Sequence, residues 1–386
     1  MGTLRPLSSA IGVGTGLLIS CAAVYACSYY FPLWSIHDKP ADPLFRFVKN
    51  GKAGYIDARG KIVIAPRFSP GDNSFGEFHE GLAAVHEKQG IEYVNRDGST
   101  AFRADVWLSF DFSEGMAAAS KQVGGKWGFL DRTGRFAIAP EYDWVDRFSD
   151  GLARVTVSRA GGSIGYIDTK GAFVIPPHLS YGYSFHEGRA AVILDGPCQI
   201  VNGGSCGRAE FQATKSNGGY DCRFAFIDKT GKPISDFRFD DAGDFSEGFA
   251  PVRIGDRWGY VDLSGQIAIA PQFESAEPFS EGLASVRVNQ KAGFIDHTGT
   301  FAIAPQFQFA MSFSDRRSLV LEIQNHAETY RFIDRSGNPA FRGRFVQASS
   351  FTYGLAPVAY QLGRNHKGKF AWIDTSGKVV FSFDVN

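Results

Sequence analysis

The chain has 386 residues, and its 40 basic residues balance its 40 acidic residues, so the formal net charge is zero. Nucleic-acid-binding proteins usually carry a basic face large enough to unbalance such a count, so the composition argues against that class. Glycine (45 residues) and phenylalanine (35 residues) are abundant, whereas methionine (3 residues) is scarce. This usage favours short β-strands joined by tight turns over helices.

The N-terminal segment 1–36 is apolar enough to predict membrane insertion or export. No residue between Arg5 and His37 is charged, and about 20 apolar residues suffice to span a bilayer as a helix. We expect a transmembrane signal anchor or a signal peptide here, followed by a linker at 37–43. An alternative is a bacterial lipoprotein in which Cys21 is lipidated after cleavage, and another is a secreted protein. Each of these possibilities places the rest of the chain in the periplasm or the extracellular space.

One pattern recurs from residue 44 to the C-terminus, and it is plainest between Trp127 and Val155. The unit reads Trp-Gly-Phe-Leu-Asp, a turn ending in Gly134, then Arg-Phe-Ala-Ile-Ala-Pro, a spacer, and Phe-Ser-Asp-Gly-Leu-Ala-Arg-Val. The turn acids of successive copies lie about 34 to 40 residues apart, with one wider gap. A period of this size predicts a repeat fold of about nine units over 44–386, not a series of unrelated domains.

The local chemistry of a unit predicts a three-stranded β-meander. The Tyr-Ile-Asp segment alternates apolar and polar positions, as a half-buried strand does. Aspartate at the first turn position and glycine three residues later predict a type I turn, in which the glycine is left-handed and the carboxylate accepts backbone hydrogen bonds. We expect the proline of Ile-Ala-Pro to end the second strand, because proline cannot donate to a ladder. The Phe-Ser-Glu-Gly segment then turns the chain into a third strand, Leu-Ala-x-Val, which should pair with the next unit's first strand.

A single unit is too small to bury a core, so neighbouring units must stack on one another. A strand at 44–49 precedes the first hairpin, and the sequence ends at Asn386 after the ninth second strand. No unit is therefore divided between the two ends, and propeller blades usually have four strands. These features favour an all-β open solenoid or superhelix of stacked meanders, preceded by one N-terminal hydrophobic helix. A closed ring of the β-propeller kind is the alternative.

An insertion at 194–222 interrupts the period between the fourth and fifth units. It contains the cysteines Cys198, Cys206 and Cys222. In an exported, oxidising setting two of these three could form a disulfide, and the sequence leaves the pairing open. Because the insertion departs most from the repeat, it is a candidate contact surface.

Two units, at 126–131 and 257–262, contain Trp-Gly followed by an aromatic residue, an aliphatic residue and aspartate. Together with the recurring Phe-Ser-Glu-Gly-Leu-Ala runs, they resemble bacterial WG-repeat proteins. The other units replace Trp-Gly by pairs such as Ala-Gly, Ile-Gly, Ala-Phe or Ala-Trp, and the second unit has Asn95 for the aspartate. The resemblance implies a β-rich repeat scaffold, often found in envelope or secreted proteins, with no general enzymatic activity attached.

The repeated acids are the first candidates for catalysis or metal binding. A catalytic pair occupies a special position, whereas these acids recur in nearly every unit, so we expect them to shape turns. Their spacing lacks the dense oxygen pattern of calcium loops, and the insertion has no Cys-x-x-Cys pair for zinc. We therefore expect no catalytic, cofactor-binding or metal-binding residue, and no cofactor. The acids are Asp57, Asp131, Asp168, Asp228, Asp262, Asp296, Asp334 and Asp374, and then Glu80, Glu114, Asp150, Glu187, Glu247, Glu281 and Asp315.

Two histidines, His79 and His186, stand where most units have serine in the Phe-Ser-Glu-Gly turn. The motif contains no second histidine or carboxylate at a metal-ligand spacing. We expect both histidines to be surface residues of their turns.

Four aromatic residues, Trp107, Trp144, Tyr181 and Tyr183, fall in spacers and not on the strand motif. Rings of this kind hold sugars and peptides on repeat proteins, although packing between units is the plainer explanation. We expect a noncatalytic, membrane-anchored scaffold outside the cytoplasm that binds a protein or an envelope polymer, the partner being unknown. The alternatives are a carbohydrate- or peptidoglycan-binding module and a hydrolase that uses the repeated acids.

Overall fold

The computed structural model describes residues 42–69, 76–87, 90–157, 163–194, 198–203, 209–213, 223–324, 327–360 and 368–385. The segment 1–36 with Cys21, expected to be a membrane helix or a signal peptide, lies outside these residues. The same holds for most of the linker 37–43 and for Cys206 and Cys222. Among the residues described, no helix is long and apolar enough to cross a membrane.

The described residues form nine small antiparallel sheets, here called blades 1 to 9 in chain order, and one separate hairpin. Blades 1 and 2 each have three strands: β1 (Leu44–Lys49), β2 (Lys52–Asp57) and β3 (Ile62–Phe68), then β4 (Leu82–Glu87), β5 (Gly90–Asn95) and β6 (Thr100–Ala104). Blades 3 and 4 each have four: β7 (Leu108–Ser109), β8 (Ala117–Ser120), β9 (Trp127–Leu130) and β10 (Phe136–Tyr142), then β11 (Trp144–Val145), β12 (Ala153–Val157), β13 (Ser163–Ile167) and β14 (Phe173–Leu179).

Blade 5 is interrupted by the insertion. It consists of β15 (Tyr181–Gly182), β16 (Arg189–Ile193) and β19 (Ala225–Asp228), and the hairpin in between consists of β17 (Cys198–Gly203) and β18 (Ala209–Ala213). Blades 6 and 7 are four-stranded: β20 (Asp241–Ala242), β21 (Phe249–Ile254), β22 (Arg257–Asp262) and β23 (Ile267–Phe273), then β24 (Ser275–Ala276), β25 (Ala284–Val288), β26 (Lys291–Ile295) and β27 (Phe301–Phe307). Blade 8 has β28 (Phe309–Ala310), β29 (Ser318–Gln324) and β30 (Ala327–Ile333), and blade 9 has β31 (Gln347–Ala348), β32 (Leu355–Ala359), β33 (Gly368–Asp374) and β34 (Val379–Val385).

The chain divides into two compact units. One comprises Asp38–Cys198 and Ala213–Asn386 and contains the nine blades, and the described part of the other lies in the insertion, at Gln199–Gln212. The insertion therefore contains a β-hairpin. The backbone of Cys198 begins β17. The disulfide expected among the three cysteines concerns side chains outside the described part of the chain.

Blades 3 to 9 each begin with a strand of only two residues, which pairs with the next strand. The predicted meander therefore accounts for the three longer strands and omits the short one, and the prediction of three strands is wrong for blades 3, 4, 6, 7 and 9. The pairing of the Leu-Ala-x-Val strand with the following Gly-Tyr-Ile-Asp strand is confirmed, for example by Val155 opposite Gly165. A two-residue strand has no periodicity that a sequence could display.

The core lies on the first two of the three long strands of each blade. All four residues of β8 and all four of β9 are buried, whereas β10 alternates between buried and exposed positions. The expected alternation of a half-buried strand is therefore wrong for the Tyr-Ile-Asp strands, because neighbouring blades cover both faces. Strands covered on both faces are continuously apolar.

The glycine of the Trp-Gly motif and the proline of the Ile-Ala-Pro motif contact each other. In five blades a Cβ on this glycine would lie 2.7–2.9 Å from the nitrogen of the proline, which is closer than packed atoms approach. The proline lies at a bulge within the last strand, so the expectation that it ends that strand is wrong. The pairs are Gly54 with Pro66, Gly128 with Pro140, Gly165 with Pro177, Gly259 with Pro271 and Gly293 with Pro305.

A second set of glycines shows that the blades close into a ring. In every blade the glycine of the Asp-x-x-Gly turn, which is Asn-x-x-Gly in blade 2, has a φ between 77° and 87°. Its Cα faces the last segment of the preceding blade. Blade 1 makes this contact with blade 9, because a Cβ on Gly60 would overlap the carbonyl oxygen of Val380. The nine contacts are Gly60 with Val380, Gly98 with Ile64, Gly134 with Phe102, Gly171 with Ile138, Gly231 with Ile175, Gly265 with Ser235, Gly299 with Ile269, Gly337 with Ile303 and Gly377 with Phe341.

The fold is therefore a nine-bladed β-propeller over the described residues, and the expectation of an open solenoid is wrong. No described sheet combines strands from the two ends of the chain. Side chains close the ring instead: Phe45 packs on Trp372 with ring centroids 5.3 Å apart, and Phe47 packs edge-on against Phe381 at 4.8 Å. An undivided set of units can thus close when its terminal blades bury aromatic residues against each other.

Candidate functional site

The aspartates of the Asp-x-x-Gly turns stabilise their own turns. In blade 3, Oδ1 of Asp131 accepts hydrogen bonds from the backbone nitrogens of Thr133 (2.8 Å) and Arg135 (3.2 Å), and Gly134 donates to the Asp131 carbonyl. A hydrogen bond from the Thr133 hydroxyl holds the pKa of Asp131 below its usual value. The same cause lowers the pKa of Asp228 and Asp296. Carboxylates of this kind stay ionised near neutral pH, whereas a general acid needs a raised pKa.

The acids of the Phe-x-acid-Gly turns join neighbouring blades. Each has a left-handed backbone with a φ between 50° and 55°, and each carboxylate accepts a hydrogen bond from the backbone of the next blade's equivalent turn. A left-handed conformation is costly for a residue with a side chain, so the inter-blade bond must offset this strain. The bonds are Glu80 to Gly115 (3.0 Å), Glu114 to Gly151 (2.9 Å), Asp150 to Gly188 (2.6 Å), Glu187 to Gly248 (2.8 Å), Glu247 to Gly282 (2.9 Å), Glu281 to Arg316 (2.9 Å) and Asp315 to Gly354 (2.7 Å).

The serine of the same turn makes a second bond to the next blade. The hydroxyl of Ser149, for example, donates to the carbonyl oxygen of Phe185 at 2.6 Å. Where histidine replaces serine, the following blade has an aspartate just before its turn phenylalanine. Nε2 of His79 lies 3.6 Å from Oδ2 of Asp111, and Nε2 of His186 lies 3.7 Å from Oδ2 of Asp244.

These two histidines are mostly buried, with side chains 17% and 18% exposed, so the expectation of surface residues is wrong. Burial lowers the pKa of His79 to about 4, and it raises the pKa of Asp111 to about 7 against the opposing effect of Arg147, whose guanidinium is 3.6 Å away. The pairing could have been noticed in the sequence. Aspartate precedes the turn phenylalanine only at residues 111 and 244, each time one unit after a histidine turn.

Three of the four spacer aromatics belong to one surface, which we call the aromatic patch. Its first half is in blades 3 and 4, where Phe110 stacks on Trp127 (ring centroids 5.2 Å apart, 8° between the planes) and Trp144 meets Trp127 edge-on at 5.1 Å. Trp144 keeps 42% of its surface exposed. This half is therefore anchored by buried Trp127 and open to solvent at Trp144.

The second half of the aromatic patch is in blade 5. Tyr183 stacks on Phe224 with centroids 5.6 Å apart and planes at 10°, and Tyr181 meets Tyr183 at 5.4 Å and a right angle. Both tyrosines are partly exposed, whereas Phe224 is buried. The same arrangement, a stacked pair with a third ring on edge, thus occurs in both halves.

An ion pair connects the two halves. The indole nitrogen of Trp144 donates to Oδ1 of Asp146 at 3.0 Å, and Arg154 donates to both oxygens of Asp146, at 2.5 and 3.0 Å. The guanidinium of Arg154 lies 5.8 Å from the centroid of the Tyr181 ring. The patch therefore consists of six rings, of which Trp127 and Phe224 are buried and the other four reach the surface, with one aspartate and one arginine fixed between its two halves.

The fourth spacer aromatic, Trp107, precedes β7 and is 53% exposed, and its backbone nitrogen donates to Ser120. Sequence reasoning missed Phe110, Trp127 and Phe224 as members of the patch. Trp127 begins the second long strand of blade 3, and Phe224 immediately precedes the second long strand of blade 5. Both positions are assigned to the core, so only the fold shows that they underlie an exposed surface.

Metal binding finds no support in the described residues, where no group of three histidine, cysteine, aspartate or glutamate side chains is placed to hold an ion. The carboxylates instead accept hydrogen bonds from backbone and side-chain donors, as described above. What this arrangement offers chemically is a closed ring of blades with an aromatic surface on blades 3 to 5.

Among solved structures, several propellers are similar at low identity. The dihydro-heme d1 dehydrogenase NirN is 15% identical, with 81% of this chain and 75% of that chain covered and a TM-score of 0.42. Hsv2p of Kluyveromyces lactis is 6% identical, with 72% and 96% covered and a TM-score of 0.39. PorZ of Porphyromonas gingivalis is 11% identical, with 89% and 51% covered and a TM-score of 0.32.

No curated protein sequence matches the chain. The WG containing repeat, by contrast, matches seven segments that together cover more than half of it: 54–87, 127–158, 164–196, 224–258, 258–291, 293–315 and 330–360. These segments contain the five Gly–Pro contacts and, apart from Asp374 and Glu114, the turn aspartates and the inter-blade acids. The chain belongs to the WG containing repeat family.

Proposed function

We propose that this protein is a noncatalytic binding scaffold that holds a protein partner on the aromatic patch. The observation that carries the proposal is the composition and rigidity of the patch. Tryptophan, tyrosine and arginine are enriched in the residues that dominate protein–protein affinity. Here Trp144 and Tyr181 are held by edge-on ring contacts, and Arg154 is held by Asp146. Pre-ordered side chains lose little conformational entropy on binding.

The noncatalytic part of the proposal rests on the carboxylates. Asp131 and its counterparts are used within their turns, and Glu247 and its counterparts are used between blades. A hydrolase would need one acid whose surroundings differ from those of its counterparts. The acids with such surroundings, Asp111 and Asp244, face histidines and make contacts between blades.

A carbohydrate or peptidoglycan ligand is the second candidate, supported by the exposed indole of Trp144 next to Asp146. Sugar sites usually combine a ring with a carboxylate that accepts bonds from hydroxyl groups. Both oxygens of Asp146 already accept hydrogen bonds, from Arg154 and from Trp144. The patch therefore suits a protein surface better than a saccharide.

Export of the propeller to the periplasm or the cell exterior, through the uncharged segment that follows Arg5, is also part of the proposal. Its support is the sequence of that segment alone. Protease added to intact cells, and to cells in which only the outer face of the inner membrane has been made accessible, tests it. We expect the repeats to be cleaved where that face is accessible. A cytoplasmic marker should stay protected in the same samples.

Site-specific photo-crosslinking tests the partner. A photoreactive amino acid replaces Trp144 in one variant and Phe301 in the control, because these side chains are similarly exposed, at 42% and 40%. We expect a discrete protein adduct from position 144, lost when Tyr181→Ala is added, and none from position 301. Adducts of the same mass and yield from both positions would contradict the proposal, and an adduct to a glycan would favour the second candidate.

A further inference from the structure

Blade 8 departs from the repeat at the position of the Trp-Gly glycine. Five blades have glycine there, in contact with proline, whereas blade 8 has Arg331. A side chain at this position does not fit under a bulged proline strand. The segment after β30 accordingly forms no regular last strand, and its β-type pairing with the blade is limited to the isolated bridges Ile333–Pro339 and Tyr330–Phe345.

The irregular segment borders a cavity of about 600 Å³ that is wide open to solvent. It is lined by Arg331, Pro339, Phe341, Arg342, Gly343 and Arg344. The volume falls in the range of small-molecule sites, which is roughly 300–1,000 Å³. Three arginines thus line one opening, and a proline and a phenylalanine line it as well.

A glutamate outside the lining fixes two of the three arginines. Oε1 of Glu322 lies 2.7 Å from Nη2 of Arg331, and Oε2 lies 3.5 Å from Nη1 of Arg344. Nε of Arg331 is buried and has no hydrogen-bond partner among the described residues. The carboxylate of Glu322 therefore orients two of the arginines and neutralises one positive charge. The three arginines keep an excess of positive charge, and Nε of Arg331 remains available as a hydrogen-bond donor.

We propose that this cavity binds a phosphomonoester group attached to a small organic moiety. Guanidinium groups match the oxygens of phosphate in paired hydrogen bonds, better than a point charge does. Three arginines against one glutamate leave a formal charge of two, which a dianion balances. Because the cavity is much larger than a phosphate, Phe341 and Pro339 are available to contact the carbon skeleton that carries it.

Blade 5 provides an internal comparison. Its last segment is also irregular, with the bridges Ile227–Pro233 and Phe224–Phe239 in equivalent places. There the positions of Arg331, Arg342 and Arg344 are occupied by Ala225, Asp236 and Arg238. The irregular backbone alone therefore does not create the charged cavity, and Arg238 is a matched control for Arg344.

Calorimetric titration of the full chain tests the proposal with glucose 6-phosphate, inorganic phosphate and glucose as probes. We expect glucose 6-phosphate to bind more tightly than inorganic phosphate, and glucose not to bind. Binding should weaken as salt is added, because the arginines are partly exposed to solvent. The double variant Arg342→Gln with Arg344→Gln should lose about tenfold or more in affinity, whereas Arg238→Gln should bind as the parent does.

Vesicle flotation separates a soluble ligand from a lipid headgroup. Vesicles of phosphatidic acid in phosphatidylcholine present the same phosphomonoester, and pure phosphatidylcholine vesicles are the control. Flotation that the double variant abolishes would identify a lipid as the source of the group, and titration without flotation would identify a soluble ester. The proposal fails if the parent binds neither glucose 6-phosphate nor the phosphatidic acid vesicles. It also fails if the double variant and Arg238→Gln bind with equal affinity.

Discussion

A carboxylate oxygen of Glu247 accepts a hydrogen bond from the backbone nitrogen of Gly282 at 2.9 Å, and so joins the turn of blade 6 to the turn of blade 7. The same oxygen lies 3.1 Å from Nε2 of His297. The backbone of Glu247 is left-handed, with a φ of 55°, and this conformation places its carboxylate at the next turn. An acid in place of the asparagine or glycine that such turns favour is explained by this contact between blades.

Replacing Glu247 by alanine should therefore destabilise the ring without disturbing either turn. We expect Glu247→Ala to lower the free energy of unfolding by about 1–2 kcal/mol, which is the usual range for a partly exposed charged hydrogen bond. Glu328→Ala, at an exposed position of β30, is the control and should have an effect within about 0.5 kcal/mol. Denaturant unfolding measures both, and equal midpoints for the two variants would contradict the role assigned to the inter-blade acids.

The buried carboxyl group of Asp111 predicts a specific pH dependence. Burial raises the pKa of Asp111 to about 7 in the folded protein, from an ordinary value of 3.8. The folded state therefore binds the proton more tightly, so the stability from this group is present below the ordinary pKa and is lost as the pH rises through 7. Since one pKa unit corresponds to about 1.4 kcal/mol, the parent should lose at least roughly 2 kcal/mol over this window relative to Asp111→Asn.

Unfolding curves at several pH values measure this difference. His79→Gln serves as the control, because burial lowers the pKa of His79 to about 4 and its contribution has the opposite sign. Stability from His79 is present above its ordinary pKa of 6.5 and is lost as the pH falls towards 4. The His79→Gln variant should therefore still lose stability as the pH rises through 7. A parent and an Asp111→Asn variant with parallel pH profiles would exclude the assignment.

Phe279 shows how one ring stabilises two blades. It begins the turn of blade 7 but packs on Phe249 and Tyr260 of blade 6 at 5.3 and 4.9 Å, and it is fully buried. We expect Phe279→Ala to cost about 3–5 kcal/mol, as large-to-small changes in a core do. Phe301→Ala, at a 40% exposed position of the same blade, should cost less than about 1.5 kcal/mol. A thermal midpoint for Phe279→Ala equal to that of the parent would show that blades 6 and 7 do not share this core.

The parts of the fold that the sequence predicts are those determined within one unit. Asp131 and Gly134 define their turn through bonds of four residues or fewer, and that turn was predicted correctly. Ring closure depends instead on Gly60 and Val380, which are 320 residues apart and belong to no common motif. An open and a closed stack of the same unit differ only in the small rotation between neighbours, which no single unit encodes.

The candidate sites were predictable to different degrees. Trp144 and Tyr181 could be chosen because they lie off the strand motif, yet the edge-on contact of Trp127 with Trp144 requires the fold. The arginine cavity was invisible in the sequence, since Arg331 reads as a degraded Trp-Gly motif. Arg331 lines a cavity only together with Arg342 and Arg344 on the irregular segment that follows β30. The position of that segment depends on the packing of the whole blade.

The closure of the ring can be tested with two glycines that share a backbone conformation but differ in their surroundings. Gly60 and Gly81 have φ values of 80° and 83°. A Cβ on Gly81 would meet no atom within 4 Å, whereas a Cβ on Gly60 would overlap the backbone of Val380 in blade 9. Gly81→Ala should therefore lower the free energy of unfolding only by the left-handed strain, about 1–2 kcal/mol. Gly60→Ala should have the same cost and should also separate blade 1 from blade 9.

Small-angle scattering and limited proteolysis distinguish the two variants. We expect Gly60→Ala to increase the radius of gyration and to expose the terminal blades to protease, because the aromatic contacts of Phe45 and Phe47 with blade 9 separate. Gly81→Ala should keep the dimensions and the protease resistance of the parent at a slightly lower thermal midpoint. An open solenoid would place residue 60 far from Val380, so equal behaviour of the two variants by both measurements would overturn the ring.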